Sequence, residues 1–187
     1  MKLNLGCGHN KIAGYINVDL SPACAPDVVC DLESLPWPWQ DDSVDAVLFN
    51  HSLEHLGGSP RLFLGLIQEL YRICKHNAKV EINVPHPRHE TFLNDPTHVR
   101  IITPELLGLF SRENNDLWQR ARVANTPLAH YLNVDFVLTK TDKILDEPYA
   151  TRYANGLLTD QDLDSMCREL NNIIVEYRIV MVARKVG

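Results

Sequence analysis

The 187-residue chain has no apolar run near the ~20 residues needed to cross a bilayer and no charged-then-apolar leader, which argues against a membrane-spanning or exported protein. It has no CxxC pair. Its five cysteines, Cys7, Cys24, Cys30, Cys74 and Cys167, are odd in number and lie mostly in apolar runs, which argues against a disulfide framework and fits a reducing compartment. A cytoplasmic protein with no membrane partner is therefore expected. It also lacks any block of like charge: 24 acidic against 18 basic residues give a net charge of −6, so a polyanion gains no general electrostatic pull. No internal repeat and no low-complexity segment is present.

What is present is enough apolar material, 45% of the residues, to bury one core, so residues 1–187 read as a single domain. Strand-like runs occur at "KLNL" (2–5), "YINVDL" (15–20), "DVVCDL" (27–32), "SVDAVLFN" (43–50) and "AKVEINV" (78–84), each bounded by turn residues. Between the last two lies a helix pattern with Ser59 as N-cap, Pro60 at the first helical position and apolar residues at 63, 66, 67, 70 and 74. Strand, helix and strand make a right-handed crossover, so the first half reads as an open α/β sheet. Within the fifth run Glu81 and Asn83 alternate with apolar residues, which predicts one partly polar sheet face.

The second half is different. Residues 85–130 are rich in Pro, His, Arg and Asn, with a short helix expected over "TPELLGLFSRE" capped by Thr103. Strands then follow at 134–145 and 173–186, separated by a helix from Asp160 to Asn172 capped by Thr159, and the two late strands are expected to form an antiparallel edge pair.

The opening stretch "LNLGCGHNKIAGYINVDL" carries the first chemical signal. Glycines directly after a buried strand, Gly6 and Gly8, let the chain turn sharply and bring backbone amides close to a ligand. Asp19, closing the next strand, stands where a carboxylate accepts from both ribose hydroxyls. The third glycine of the dinucleotide fingerprint is missing, with Asn10 near its place.

Together with Asp31 at the end of the third strand and "NHSLEH" (50–55) after the fourth, these residues resemble the class I S-adenosylmethionine-dependent methyltransferases, in particular small members with an "LGCG" first motif and an "H.LEH". The resemblance covers roughly residues 2–86. It implies a Rossmann-like α/β methyltransferase fold: a mostly parallel seven-stranded sheet with an antiparallel edge hairpin and helices on both faces. It further implies S-adenosyl-L-methionine as cofactor, held by Asn4, Gly6, Cys7, Gly8, Asp19, Leu20, Asp31, Leu32, Asn50 and His51. In that family the glycine loop faces the methionine part, the acid of strand two the ribose, and the acid of strand three the adenine amino group. Residues 1–84 would then be the cofactor half, 85–133 a substrate or lid segment, and 134–187 the edge strands and their helix. Family members often have an acid at the position of Asn4 and a glycine at that of Asn10, and Asn tolerates positive φ better than most residues. They usually also have a helix ahead of the first strand; without one, part of a sheet face would be covered by the second half or by another subunit, and a homodimer is expected.

The acceptor site belongs beyond the C-terminal ends of the strands, which points to "NHSLEH" and to "PHPRHETFLNDPTHVR" (85–100). For a hydroxyl acceptor a positioned histidine suits neutral pH, and His98 is the expected general base, oriented by Asp95 across a turn, with His86 second. His51 and His55 are expected to pack or contact cofactor, and the Trp37 and Trp39 pair to form a rigid buried connector. No HExxH or comparable spacing is present, so no metal is expected. Residues 86–122 hold five Arg against five Asp or Glu, so a small-molecule or sugar-containing acceptor, methylated at oxygen, is expected rather than nucleic acid. The alternatives are a non-catalytic S-adenosylmethionine-binding module and a dinucleotide-dependent oxidoreductase of the NAD type.

Overall fold

In the computed structural model, which describes residues 1–185, seven strands form one sheet in the order β3-β2-β1-β4-β5-β7-β6. They are β1 (Lys2–Leu5), β2 (Ile16–Asp19), β3 (Val28–Val29), β4 (Val44–Asn50), β5 (Cys74–Pro85), β6 (Phe136–Leu145) and β7 (Ile174–Ala183). Strands β1 to β5 pair in parallel, while β7 runs antiparallel to both β5 and β6. The seven-stranded sheet and its antiparallel edge pair are those the sequence predicts. Val186, the last residue of the terminal apolar run, lies outside the described residues. No helix among the described residues is long and apolar enough to cross a membrane.

Helix α1 (Pro60–Ile73) starts as predicted, with Ser59 Oγ accepting from the Leu62 amide at 3.2 Å, a cap whose loss costs about 1 kcal/mol. Beyond β5 come α2 (Glu90–Leu93), α3 (Pro104–Gly108), α4 (Arg112–Arg120) and α5 (Leu128–Leu132), and between β6 and β7 come α6 (Tyr149–Ala154) and α7 (Asp160–Glu169). The helix expected over 103–113 is two helices: Thr103 caps α3, the chain leaves helical geometry, and Ser111 caps α4 by accepting from the Asn114 amide. Thr159 and Asp162 close a full capping box on α7.

The cover on the two faces of the sheet is uneven. Leu3, Leu5, Val47, Phe49, Val80, Ile82, Ile179 and Met181 share one face and pack in one core with Phe63, Leu66, Ile67 and Leu70 of α1. On the opposite face Lys79 and Glu81 pair at 2.8 Å and Arg178 is exposed, as the alternation in β5 predicts. Among the described residues the β1–β2 connection has no helix, and the β2–β3 connection has only a 3₁₀ turn at Pro22–Cys24. The loop after β1 covers its own strand instead: Asn4, 1% exposed, donates to the Asn10 carbonyl and to Asn17 Oδ1, both at 3.0 Å. Trp37 and Trp39 are buried edge to face at 6.1 Å between centroids, with the Trp37 indole donating to the Leu32 carbonyl.

Candidate active site

At the C-terminal ends of β1, β2, β3 and β4 lies a cavity of about 400 Å³. Gly6 and Gly8 form one wall, Asp19 and Leu20 a second, Cys30 to Glu33 a third, and His51, Ser52, His55 and Leu56 the fourth. The turn needs its glycines: Gly6 has φ +70° and Gly8 φ +50°, and a Cβ on Gly6 would stand 2.5 Å from Ser52 Cβ. Above Gly8 nothing lies within 4 Å of such an atom, so this residue opens directly onto the cavity.

The turn does not offer free amides, contrary to expectation. The amides of Gly6 and Cys7 both donate to the Val18 carbonyl at 2.9 Å, and the Gly8 amide donates to Asp19 Oδ2 at 2.8 Å. Parallel pairing with β2 and the carboxylate at its end consume these donors, so the glycines contribute close approach. Asn10 is not among the residues of positive φ; after Gly6 and Gly8 the loop next uses Gly14, so it needs no glycine at position 10.

Asp19 accepts from Gly8 on one oxygen and from Ser21 on the other, at 2.8 and 2.9 Å. A carboxylate has about four lone-pair sites, which leaves two for a ligand diol. Asp31 is held likewise by the Glu33 amide and the Ser34 hydroxyl, and Leu32 beside it is buried. Glu33 Oε1 accepts from the Gly57 amide at 2.7 Å, tying the segment after β3 to the turn after β4. Of the predicted cofactor residues, Gly6, Gly8, Asp19, Leu20, Asp31, Leu32 and His51 therefore line one cavity. Asn4 lies under the turn, Cys7 is buried, its thiol pushed up by burial and by Asp19, and Asn50 accepts from Asn83 at 2.9 Å; these three do not line it. Ser52, Cys30 and Glu33 line it without having been predicted, and only their places next to strand ends could have marked them.

His51 has φ +51°, uncommon for a residue with a side chain, and its Nε2 lies 3.0 Å from Glu176 Oε2. His55 lies on the cavity wall, and His98 packs against it, ring centroids 4.7 Å apart. The segment carrying His98 is fixed to the turn after β4 because the amides of Val99 and Arg100 both donate to the Glu54 carbonyl at 3.0 Å. Asp95 does not orient His98 as expected: it stands 3.8 Å from Nε2, and one of its oxygens accepts from Thr97, while His98 Nδ1 donates to the Phe92 carbonyl at 2.9 Å. His86 does not line the cavity. It packs against Tyr177 at 5.0 Å between centroids, and burial pushes its pKa down to about 4.

These residues fit S-adenosylmethionine. A turn held open by glycine, a carboxylate with spare acceptor sites and a buried leucine suit a methionine tail, a ribose and an adenine in that order. A dinucleotide sheet, by contrast, is wholly parallel in the order 3-2-1-4-5-6, whereas here the antiparallel β7 separates β5 from β6.

Residues 3–82 match the family model of the methyltransferase domain. No curated protein matches the chain. Among solved structures, a SAM-dependent methyltransferase from Archaeoglobus fulgidus aligns with 97% of this chain and 85% of its own, at 19% identity and TM-score 0.62. One from Methanosarcina mazei aligns over 99% and 92%, at 14% identity and TM-score 0.58. The YcgJ protein of Bacillus subtilis aligns over 100% and 92%, at 15% identity and TM-score 0.54. At these identities the three structures bear on the fold.

Proposed function

We propose that this chain is a class I S-adenosylmethionine-dependent methyltransferase that methylates a hydroxyl oxygen of a small or sugar-containing acceptor, a reading supported by the match of residues 3–82 to the methyltransferase-domain model and by the shared fold. The observation that carries the reading is that His55 lines the same cavity as Gly6, Gly8 and Asp19, with His98 packed edge-on against it.

Bound S-adenosylmethionine supplies a methyl group on a cationic sulfur, which passes to the acceptor oxygen as the C–S pair returns to sulfur. The chain's own part is to hold and align. Asp19 would accept from the ribose hydroxyls, Leu32 would pack on the adenine with Asp31 at its edge, and Gly8 would let the methionine portion approach the backbone. Alignment of acceptor and methyl can supply about 7–11 kcal/mol of the barrier. His55 and His98 are the residues that prepare the acceptor oxygen, and they extend the role expected of His98 alone. A hydroxyl needs this help more than an amine does, because it must lose its proton. The absence of a basic face around the cavity, with Asp19, Asp31 and Glu33 on its walls, favours a small acceptor over a nucleic acid.

The test is formation of S-adenosylhomocysteine when the protein is offered S-adenosylmethionine and panels of hydroxylated small molecules, sugars and amines. Turnover confined to hydroxyl acceptors supports the reading, and turnover confined to amines contradicts methylation at oxygen.

A further inference from the structure

Glu54 is the residue whose chemistry the methyl-transfer reading leaves unused. It is 1% exposed, and neither carboxylate oxygen has a hydrogen-bond partner, although buried carboxylates are ordinarily paired or hydrogen-bonded because desolvating one costs several kcal/mol. Its carboxyl pKa is raised by that burial. One Glu54 oxygen, one ring nitrogen of His55 and one of His98 lie within 4.8 Å of one another.

The two imidazoles are prepared as ligands. His98 Nδ1 faces the Phe92 carbonyl at 2.9 Å, and a carbonyl only accepts, so Nδ1 carries the proton and Nε2 keeps its lone pair. His55 Nδ1 faces both the Thr97 carbonyl, at 3.3 Å, and the Thr97 hydroxyl, at 2.9 Å. That hydroxyl donates to Asp95 Oδ1 at 2.6 Å, so it too accepts from His55, and His55 Nε2 is likewise left with its lone pair. A histidine whose far nitrogen is fixed by a carbonyl, or through a hydroxyl by a carboxylate, is the usual outer arrangement of a metal-binding imidazole. His51 Nδ1, 3.7 Å from Glu54 Oε1, is a third nitrogen beside the same carboxylate.

We propose that Glu54, His55 and His98 bind a divalent first-row transition-metal cation such as Zn²⁺ or Mn²⁺. Two imidazoles with one carboxylate favour such an ion over Mg²⁺ or Ca²⁺, which prefer oxygen ligands throughout. Bonds of about 2.0–2.2 Å require the three atoms, within 4.8 Å of one another, to draw closer together. The sequence hides the set because His98 comes from the loop after β5 while Glu54 and His55 follow β4, so no short ligand spacing exists. The site stands without the methyl-transfer reading, but its task rests on it. With His55 at the cavity wall, the ion held by the two histidines would bind the acceptor hydroxyl and favour its deprotonated form, the proton passing to water, which is how His55 and His98 would prepare the acceptor oxygen.

The test is calorimetric titration of chelator-stripped protein with Zn²⁺, Mn²⁺ and Mg²⁺, with S-adenosylmethionine affinity measured on the same samples. Saturable binding of one Zn²⁺ or Mn²⁺ per chain is expected, with Mg²⁺ weaker. Glu54→Gln and His98→Ala should each weaken binding far more than Thr97→Val, an outer-shell change worth about 10- to 100-fold. If Glu54→Gln does not fold, His55→Ala carries the same comparison. No saturable binding by the unaltered protein, or equal binding by it and His98→Ala, overturns the proposal. Cofactor binding without metal binding overturns the metal site alone; metal binding without cofactor binding overturns the methyltransferase reading alone.

Discussion

The amide of Gly8 donates to Oδ2 of Asp19 at 2.8 Å, so the glycine turn after β1 and the acid that closes β2 form a single hydrogen-bonded unit. A charge-assisted hydrogen bond is worth about 1.5–3 kcal/mol. Asp19→Ala removes the acceptor proposed for the ribose and loosens Gly8 together, and is expected to lower S-adenosylmethionine affinity by about 10- to 100-fold in calorimetry. An unchanged dissociation constant would remove Asp19 from the site.

The two glycines of the turn should separate stability from binding. Gly6→Ala places a methyl 2.5 Å from Ser52 Cβ, against a packed strand end, and should lower stability by roughly 1–3 kcal/mol in denaturant melts. Gly8→Ala meets nothing within 4 Å, so its stability loss should be near the ~1 kcal/mol of a left-handed residue, while its methyl enters the cavity and weakens cofactor binding. Equal effects of the two changes on both measurements would contradict this division.

Much of this was legible from local pattern. The β1 turn, Asp19, the Ser59–Pro60 start of α1 and the Thr159 cap all follow from residue types at fixed offsets, and the structure has them where that logic puts them, while Asp31, expected at a strand end, lies two residues beyond the short β3. What local pattern missed depends on contacts between distant segments. Ser111 restarts a helix because Phe110 is drawn into the core and the Phe136 amide donates to its carbonyl, which no window around residue 111 contains. The turn's amides were consumed by Val18 and Asp19, partners eleven or more residues away. Glu54 showed only as a residue between two histidines until the loop from Phe92 to Arg100 folded over it.

His86 gives a pH signature. Burial, with Arg88 and His89 adding to it, lowers its pKa from 6.5 to about 4, so it stays neutral in the folded protein while the unfolded chain takes up a proton below pH 6.5. The unfolded state then binds more protons, and stability must fall as pH drops from 6.5 towards 4. His86→Gln should make that fall shallower in melts across this window, and an identical slope would show that His86 is not held neutral.

Glu69 anchors the connector. It accepts from the Trp37 amide at 2.6 Å and from Arg72 at 2.5 and 2.9 Å, while itself 8% exposed. Glu69→Ala leaves the buried Trp37 amide without its acceptor and removes two of the hydrogen bonds of Arg72, whose contacts with Asp41 and the Trp37 carbonyl remain, and should cost roughly 1–3 kcal/mol in a thermal or denaturant melt. A change within about 0.5 kcal/mol, the size of an ordinary surface substitution, would contradict the anchoring role.

His55→Ala and His98→Ala should each lower turnover on a hydroxyl acceptor by about 100-fold or more, with cofactor affinity changed far less. Turnover equal to that of the unaltered protein would place the preparation of the acceptor elsewhere.

Calorimetry of the unaltered protein with S-adenosylmethionine, run beside NAD, goes straight to the cavity between Gly8 and Asp19. Saturable one-to-one binding of the sulfonium compound, abolished or strongly weakened in Asp19→Ala, is the predicted result. No heat from it at millimolar excess, or tighter binding of NAD, would contradict the account.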